Sequence, residues 1–139
     1  MPPDAIRVLC VDDNRLVGEA LAVHVAHQPG LRWQGQLHSA DELVRRASEL
    51  HPDVVLLDVD MPGMSPFDAI RELASKAPEI RVLMLSGHIR RPLVEAAMDA
   101  GAWGYLSKDS GAEAVTEAVR RVWADEVVLC PQVEAVLDG

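Results

Sequence analysis

Positive charge is in short supply: 13 Lys and Arg stand against 22 Asp and Glu in 139 residues, a formal net charge of −9. A chain this acidic lacks the positive potential that grips phosphate backbones or anionic bilayers, which argues against nucleic acid and membrane surfaces as direct partners and favours small cations. No apolar run approaches the length of a membrane span. The opening Met1-Pro2-Pro3-Asp4 has neither the basic stretch nor the apolar core of a signal peptide, so the expected location is the cytoplasm. Only two cysteines occur, Cys10 and Cys130, far apart; Cys10 lies in an apolar run that suits a small buried side chain, and neither is assigned a disulfide or a metal. Internal repeats and low-complexity tracts are also missing.

The chain does have enough residues for one domain, which would bury roughly 70% of its unfolded surface, and it has no room for a second full domain. Apolar residues at 49% and charged residues at 25% fit an ordinary globular composition. Three short, nearly continuous apolar runs, Ile6 to Val11, Val54 to Leu57 and Val82 to Leu85, read as strands covered on both faces; Leu31 to Leu37 and Gly104 to Leu106 are weaker candidates. Between them lie helical stripes: Leu16, Val17, Ala20, Leu21, His24 and Val25 on one, Leu43, Val44, Ala47 and Leu50 on another. Ser39 with Glu42, and Ser110 with Glu113, have the form of capping boxes, and Pro66 and Pro92 suit first helical turns. About five β–α units result, which implies an α/β fold with a doubly wound five-stranded parallel sheet and helices on both faces. After about Ala124 the pattern changes: Glu126 to Cys130 reads as short and extended and Pro131 suits the opening of a final helix, so residues 1–125 are expected to form the domain and 126–139 a tail or linker.

In such sheets ligands bind beyond the carboxyl ends of the strands. Asp12 and Asp13 follow the first run and Asp58 follows the second strong one, so three carboxylates should converge there. Singly, each would cap a helix or stay solvated; together they repel one another unless a hard, oxygen-seeking cation such as Mg²⁺ lies among them. Ser86 and Lys108 end later runs at the same edge. A carboxylate nucleophile, a metal, an ammonium and a hydroxyl suit phosphoryl transfer, in which positioning and charge neutralisation supply most of the catalysis.

The motifs Val-Asp-Asp at 11–13, Leu-Leu-Asp-Val-Asp-Met-Pro-Gly-Met at 56–64, Leu-Ser-Gly at 85–87 and Gly-Tyr-Leu-Ser-Lys-Asp at 104–109 resemble the receiver domains of two-component response regulators, from Ile6 to about Ala124. The resemblance implies the flavodoxin-like receiver fold and a sensor histidine kinase that phosphorylates Asp58. It also implies Mg²⁺ bound by Asp13, Asp58 and the backbone carbonyl of Asp60, with Asp12 acting at one remove. Lys108 would pair with the phosphorylated carboxylate, Ser86 would move to a phosphoryl oxygen, and Tyr105 would turn inward behind it. Such a domain is a phosphoacceptor switch with self-phosphorylation and autodephosphorylation chemistry, not a turnover enzyme.

Asp109, where most receivers have Pro, and the tail from Val127 to Pro131 resemble the subgroup with a LuxR-type helix-turn-helix output domain. The chain is then the regulatory part of a transcription regulator that meets DNA only through a domain outside these residues, and it could pair with itself on phosphorylation, with the last long helix and its Glu113, Glu117, Arg120 and Arg121 as one candidate surface. A stand-alone receiver is the alternative. Ser65-Pro66, where the subgroup commonly has Asp-Gly, should stiffen the start of the following helix. Asp60 and His88, two residues beyond Asp58 and Ser86, are expected to tune the phosphoryl lifetime, as a pair across the site entrance. Two rivals stand against this reading. Asp58-Val59-Asp60 also resembles the DxD nucleophile of haloacid-dehalogenase-like phosphatases, but there the nucleophile lies near the amino terminus, whereas here Asp12-Asp13 precedes it. A receiver-like module that no longer accepts phosphate would lack a lysine or an acceptor, and neither is missing.

Overall fold

Val54–Leu57, the strand that leads to Asp58, is at most 1% exposed on every residue, as a strand with helices on both faces must be. The computed structural model describes residues 4–139. The elements are β1 (Ile6–Val11), α1 (Arg15–Ala26), β2 (Leu31–Leu37), α2 (Ala40–Leu50), β3 (Val54–Leu57), α3 (Pro66–Lys76), β4 (Arg81–Ser86), α4 (Arg91–Ala100), β5 (Gly104–Ser107), α5 (Ala112–Trp123), β6 (Val128–Leu129) and α6 (Pro131–Asp138). All strand pairings are parallel, in the order β2-β1-β3-β4-β5-β6. Helices α1 and α5 pack together, and α2, α3, α4 and α6 pack in succession. No helix of the described residues is long and apolar enough to cross a membrane.

The doubly wound parallel sheet matches the sequence expectation, with one short strand added. β6 pairs with β5 through Gly104↔Val128 and Tyr105↔Leu129, and Cys130 N–H donates to Tyr105 O at 3.2 Å. Gly104 permits this approach: a methyl there would overlap the Val128 carbonyl and stand 2.7 Å from Leu83 Cδ1. Val133 of α6 is fully buried, and the Arg91 guanidinium at the start of α4 donates to Leu137 O and Gly139 O, both at 2.7 Å.

Two local expectations are corrected. The first concerns α1, which turns Gly18, Leu21 and Val25 inward and leaves Leu16 74% exposed, because Gly18 seats the helix closely against the Gln36 side chain of β2. The second concerns Ser110, which does not cap α5. Lys108–Ser110 forms a 3₁₀ turn capped by Ser107, whose Oγ accepts from Asp109 N–H at 3.1 Å; Gly111, at φ +88°, then opens the helix, and Ser110 Oγ is buried without a partner. Ser39 does cap α2, its Oγ accepting from Glu42 N–H at 3.2 Å, while the Glu42 carboxylate accepts from His38 N–H. Pro66 sits in the first turn of α3 behind a Ser65 cap, and Pro92 in the first turn of α4.

β2 carries a bulge opposite the Val8–Leu9 step, where Val8 pairs with Trp33 and Leu9 with Gly35, so Gln34 is the extra residue. Gly35 adopts φ +135°, a conformation that side-chain-bearing residues rarely take. In a regular strand Gln34 and Gln36 would share a face. Here Gln34 Nε2 donates to Leu50 O of α2, whereas Gln36 lies against α1.

Candidate phosphoacceptor site

The sheet hydrogen bonds run one step past the strands and fix where the carboxylates begin: Asp12 N–H donates to Leu37 O and Asp58 N–H to Val11 O, each at 3.0 Å. Asp12 and Asp58 are buried and Asp13 is exposed, and all three present oxygens within 4.8 Å of one another. Lys108, carried by the 3₁₀ turn after β5, reaches them from across the sheet, with Nζ 2.7 Å from Asp12 Oδ2 and 3.4 Å from Asp58 Oδ2. The lysine thus leans on Asp12 more than on the acceptor candidate.

Burial, and then the charge of Asp12, push the Asp58 carboxyl above its ordinary range against the opposing pull of Lys108 and a hydrogen bond from the Asp60 backbone. Burial pulls the Lys108 ammonium down, but its hydrogen bond to Asp12 and the charges of Asp58 and Asp12 outweigh this, and the net direction is up. One ammonium faces three clustered carboxylates, a donor set of hard oxygens that fits a divalent cation such as Mg²⁺. Cys10, below the cluster, has its thiol pushed up to about 12 by burial and by Asp12, and both Cys10 and Cys130 are free and buried.

Ser86 is fully buried at the end of β4. Its Oγ accepts from His88 N–H at 2.9 Å and donates to His88 O at 3.3 Å. Tyr105 is already turned inward, 0% exposed, and its hydroxyl donates to the same His88 carbonyl at 2.7 Å. The β4–α4 loop is therefore gripped by two hydroxyls through one peptide group. Across the entrance, His88 Nε2 and Asp60 Oδ2 lie 2.7 Å apart, both largely exposed, the juxtaposition that their spacing in sequence suggests. Of the other histidines, His24 contacts Thr116 Oγ1 at 3.4 Å, His27 Nδ1 bonds Val23 O, His51 caps α2 at φ +48°, and His38 follows β2 with its N–H on the Glu42 carboxylate. On α5, Glu113, Glu117 and Arg121 are exposed, while Arg120 is drawn onto Gln28 Oε1 and Pro29 O.

Three residues around the site escape sequence reasoning. Asn14 caps α1, its Oδ1 accepting from Leu16 N–H at 3.0 Å, and its own N–H donates to Asp12 Oδ1 at 2.8 Å. Asp41 of α2 accepts from Met64 N–H at 3.0 Å and so ties down the β3–α3 loop beside Gly63. Gln36 Nε2 donates to Asp12 O at 2.7 Å and Asn14 O at 2.9 Å. Asn14 had a signal, a capping residue directly before a helical stripe. The other two act on backbone more than twenty residues away, and no local pattern reveals them.

The family profile of the response regulator receiver domain matches residues 8–120. The chain is 38% identical over 128 residues to the response regulator GacA of Pseudomonas aeruginosa and 34% identical over 128 residues to the response regulator protein VraR of Staphylococcus aureus, covering 92% of this chain in each case. It spans about 60% of the length of those relatives. A LuxR-family two-component response regulator from Aurantimonas superposes with a TM-score of 0.89 at 25% identity, over 96% of both chains.

Proposed function

The chain belongs to the response regulator receiver family, and from that premise we propose that Asp58 is the acceptor of a phosphoryl group donated by a sensor histidine kinase, the remaining site residues serving that transfer. An Asp58 oxygen attacks phosphorus as the bond from phosphorus to the donor imidazole breaks; the imidazole keeps the electron pair and takes up a proton, and an acyl phosphate forms on Asp58. The observation that carries this reading is the cluster of three carboxylates served by one lysine at the carboxyl edge of a parallel sheet. Mg²⁺ would be held by Asp13, Asp58 and the Asp60 backbone carbonyl, with Asp12 in its outer sphere, and when bound it supplies neutralisation of the phosphoryl charge. Lys108 moves its balance from Asp12 toward the new dianion.

Ser86 now spends its donor on His88 O; a phosphoryl oxygen offers a stronger acceptor, and only such a difference between states shifts their populations. Tyr105, already inward, keeps the His88 carbonyl satisfied when Ser86 leaves. The Asp60–His88 pair lies where it can screen the acyl phosphate from water, and His88→Ala is expected to change the dephosphorylation rate; a rate equal to the parent's overturns that role. We further assign residues 126–139 to a connection toward an output domain, in a cytoplasmic regulator of transcription, as the names and the length of the relatives suggest.

Intact mass after incubation with Mg²⁺ and acetyl phosphate tests the central claim. A gain of one phosphoryl that needs Mg²⁺ and disappears in Asp58→Asn supports it. No gain in folded, Mg²⁺-bound protein favours a receiver that works by phosphate-independent interaction.

A further inference from the structure

The residue that holds the acidic turn in place is Gln36, one strand away from it. A carboxamide nitrogen has two protons to donate, and Gln36 uses both on the carbonyls that flank Asp13, Asp12 O at 2.7 Å and Asn14 O at 2.9 Å. Two carbonyl acceptors also settle which end of the amide faces the turn, since the oxygen could not take that place. The Asp12–Asp13 and Asn14–Arg15 peptides are thereby fixed from outside the turn, the Asp13–Asn14 peptide between them is held by the Asn14 N–H to Asp12 Oδ1 hydrogen bond, and with them is set the direction in which the exposed Asp13 carboxylate leaves the backbone. Asp12 and Asp58 have strand hydrogen bonds and Lys108 to position them. Asp13 is exposed and has no side-chain hydrogen bond or ion pair among the described residues, so its placement rests on its backbone.

Two features of the fold place Gln36 there. The bulge at Gln34 and Gly35 turns it to the α1 face. Gly18 then leaves the space it occupies: a methyl at that position would overlap the Gln36 carboxamide, whose far end is the part that must move.

We propose that Gln36 is a positioning residue for cation binding at Asp13, and that Gly18 sets its carboxamide in the working position. The proposal rests on the reading of the cluster as a Mg²⁺ site. Without the amide, the turn regains backbone freedom that Mg²⁺ must then remove, an ordering cost comparable to fixing one residue; the expected loss of Mg²⁺ affinity is about tenfold.

Isothermal titration calorimetry with Mg²⁺ alone, on the parent, Gln36→Ala, Gly18→Ala and the double variant, tests it, with thermal unfolding of the metal-free proteins alongside. Gln36→Ala is expected to weaken Mg²⁺ about tenfold. Gly18→Ala, which adds a better helix former and should hold or raise the metal-free Tm, is expected to weaken Mg²⁺ as well by displacing the carboxamide. In the Gln36→Ala background it is expected to change affinity no further, because the group it displaces is gone. A merely structural role would lower the Tm and leave the affinities alone. Equal affinities in parent and Gln36→Ala overturn the role of Gln36 alone, additive losses in the double variant overturn the link to Gly18, and a folded parent that takes up no Mg²⁺ overturns the cation-site reading with it.

Discussion

Replacing Lys108 by Met keeps the bulk of the side chain and removes the cation that faces two buried carboxylates. Asp12 and Asp58 keep only 2% and 4% of their side chains exposed, so each is left largely dry without a counter-charge. Breaking a buried ion pair from one side costs about 3–5 kcal/mol. Lys108 itself is 26% exposed, so water reaches the vacated corner and the lower end applies, about 3 kcal/mol at neutral pH. With a urea m-value of about 2 kcal/mol/M, the unfolding midpoint should fall by about 1.5 M. The pH dependence has a definite sign. Without the ammonium, the folded-state Asp58 carboxyl lies further above its unfolded value, so the penalty is present above the raised folded pKa and disappears as pH falls below the ordinary carboxylate range of about 4. Urea titrations of metal-free parent and Lys108→Met across that range, repeated at pH 7 in excess Mg²⁺, give the test; the added cation should recover part of the loss. A midpoint at pH 7 within about 0.3 M of the parent would mean that the pocket is far wetter than its burial implies, and would refute the reasoning.

Asp58→Asn should raise the Tm of the metal-free protein at pH 7, because the folded state holds the Asp58 carboxyl above its ordinary range and so loses stability as pH rises through that window; the two melting curves should converge as pH falls toward the unfolded carboxylate pKa, and no gain at pH 7 refutes it. Arg91→Ala removes two charge-assisted hydrogen bonds to the end of α6, worth about 1–2 kcal/mol at a partly exposed site; amide exchange should accelerate across 131–138 and stay unchanged in β1 and β3, and unchanged exchange in α6 counts against the clamp. Gly104→Ala forces β6 away from β5 and should cost about 1–3 kcal/mol in chemical denaturation; a neutral result would mean that β6 yields freely.

The strands were legible because burial on both faces leaves little choice of residue. Runs such as Val54–Leu57 have no polar alternation to blur them, and the same runs place Asp12, Asp13, Asp58 and Ser86 at their ends. Even the approach of Asp60 to His88 follows from their equal offsets beyond Asp58 and Ser86 at the ends of neighbouring strands. The orientation of α1 was not legible, since Leu16, Ala20 and Val23 look as apolar as the residues that face the sheet, and what decides between them is a glycine fitting a glutamine on another element. The Ser110 cap failed for a related reason: a capping pattern specifies a helix start only if the preceding residues do not already close a tighter turn, and Ser107 closes one. The short β6 was visible as an extended stretch, but its pairing depends on the missing side chain at Gly104, a property of the neighbouring strand.

The two residues of β6 also have a consequence for solubility. A parallel sheet has two rims, and a long uncovered rim is a template for another chain's backbone. On this side the rim that β5 would present, with the backbone of Gly104 and Tyr105, is taken up by Val128 and Leu129 and then overlaid by α6. The strand left outermost is too short to recruit a partner. A version of the chain ending at Asp125 would reopen that rim next to the buried Tyr105, and the uncovered backbone would then be open to self-association by strand addition.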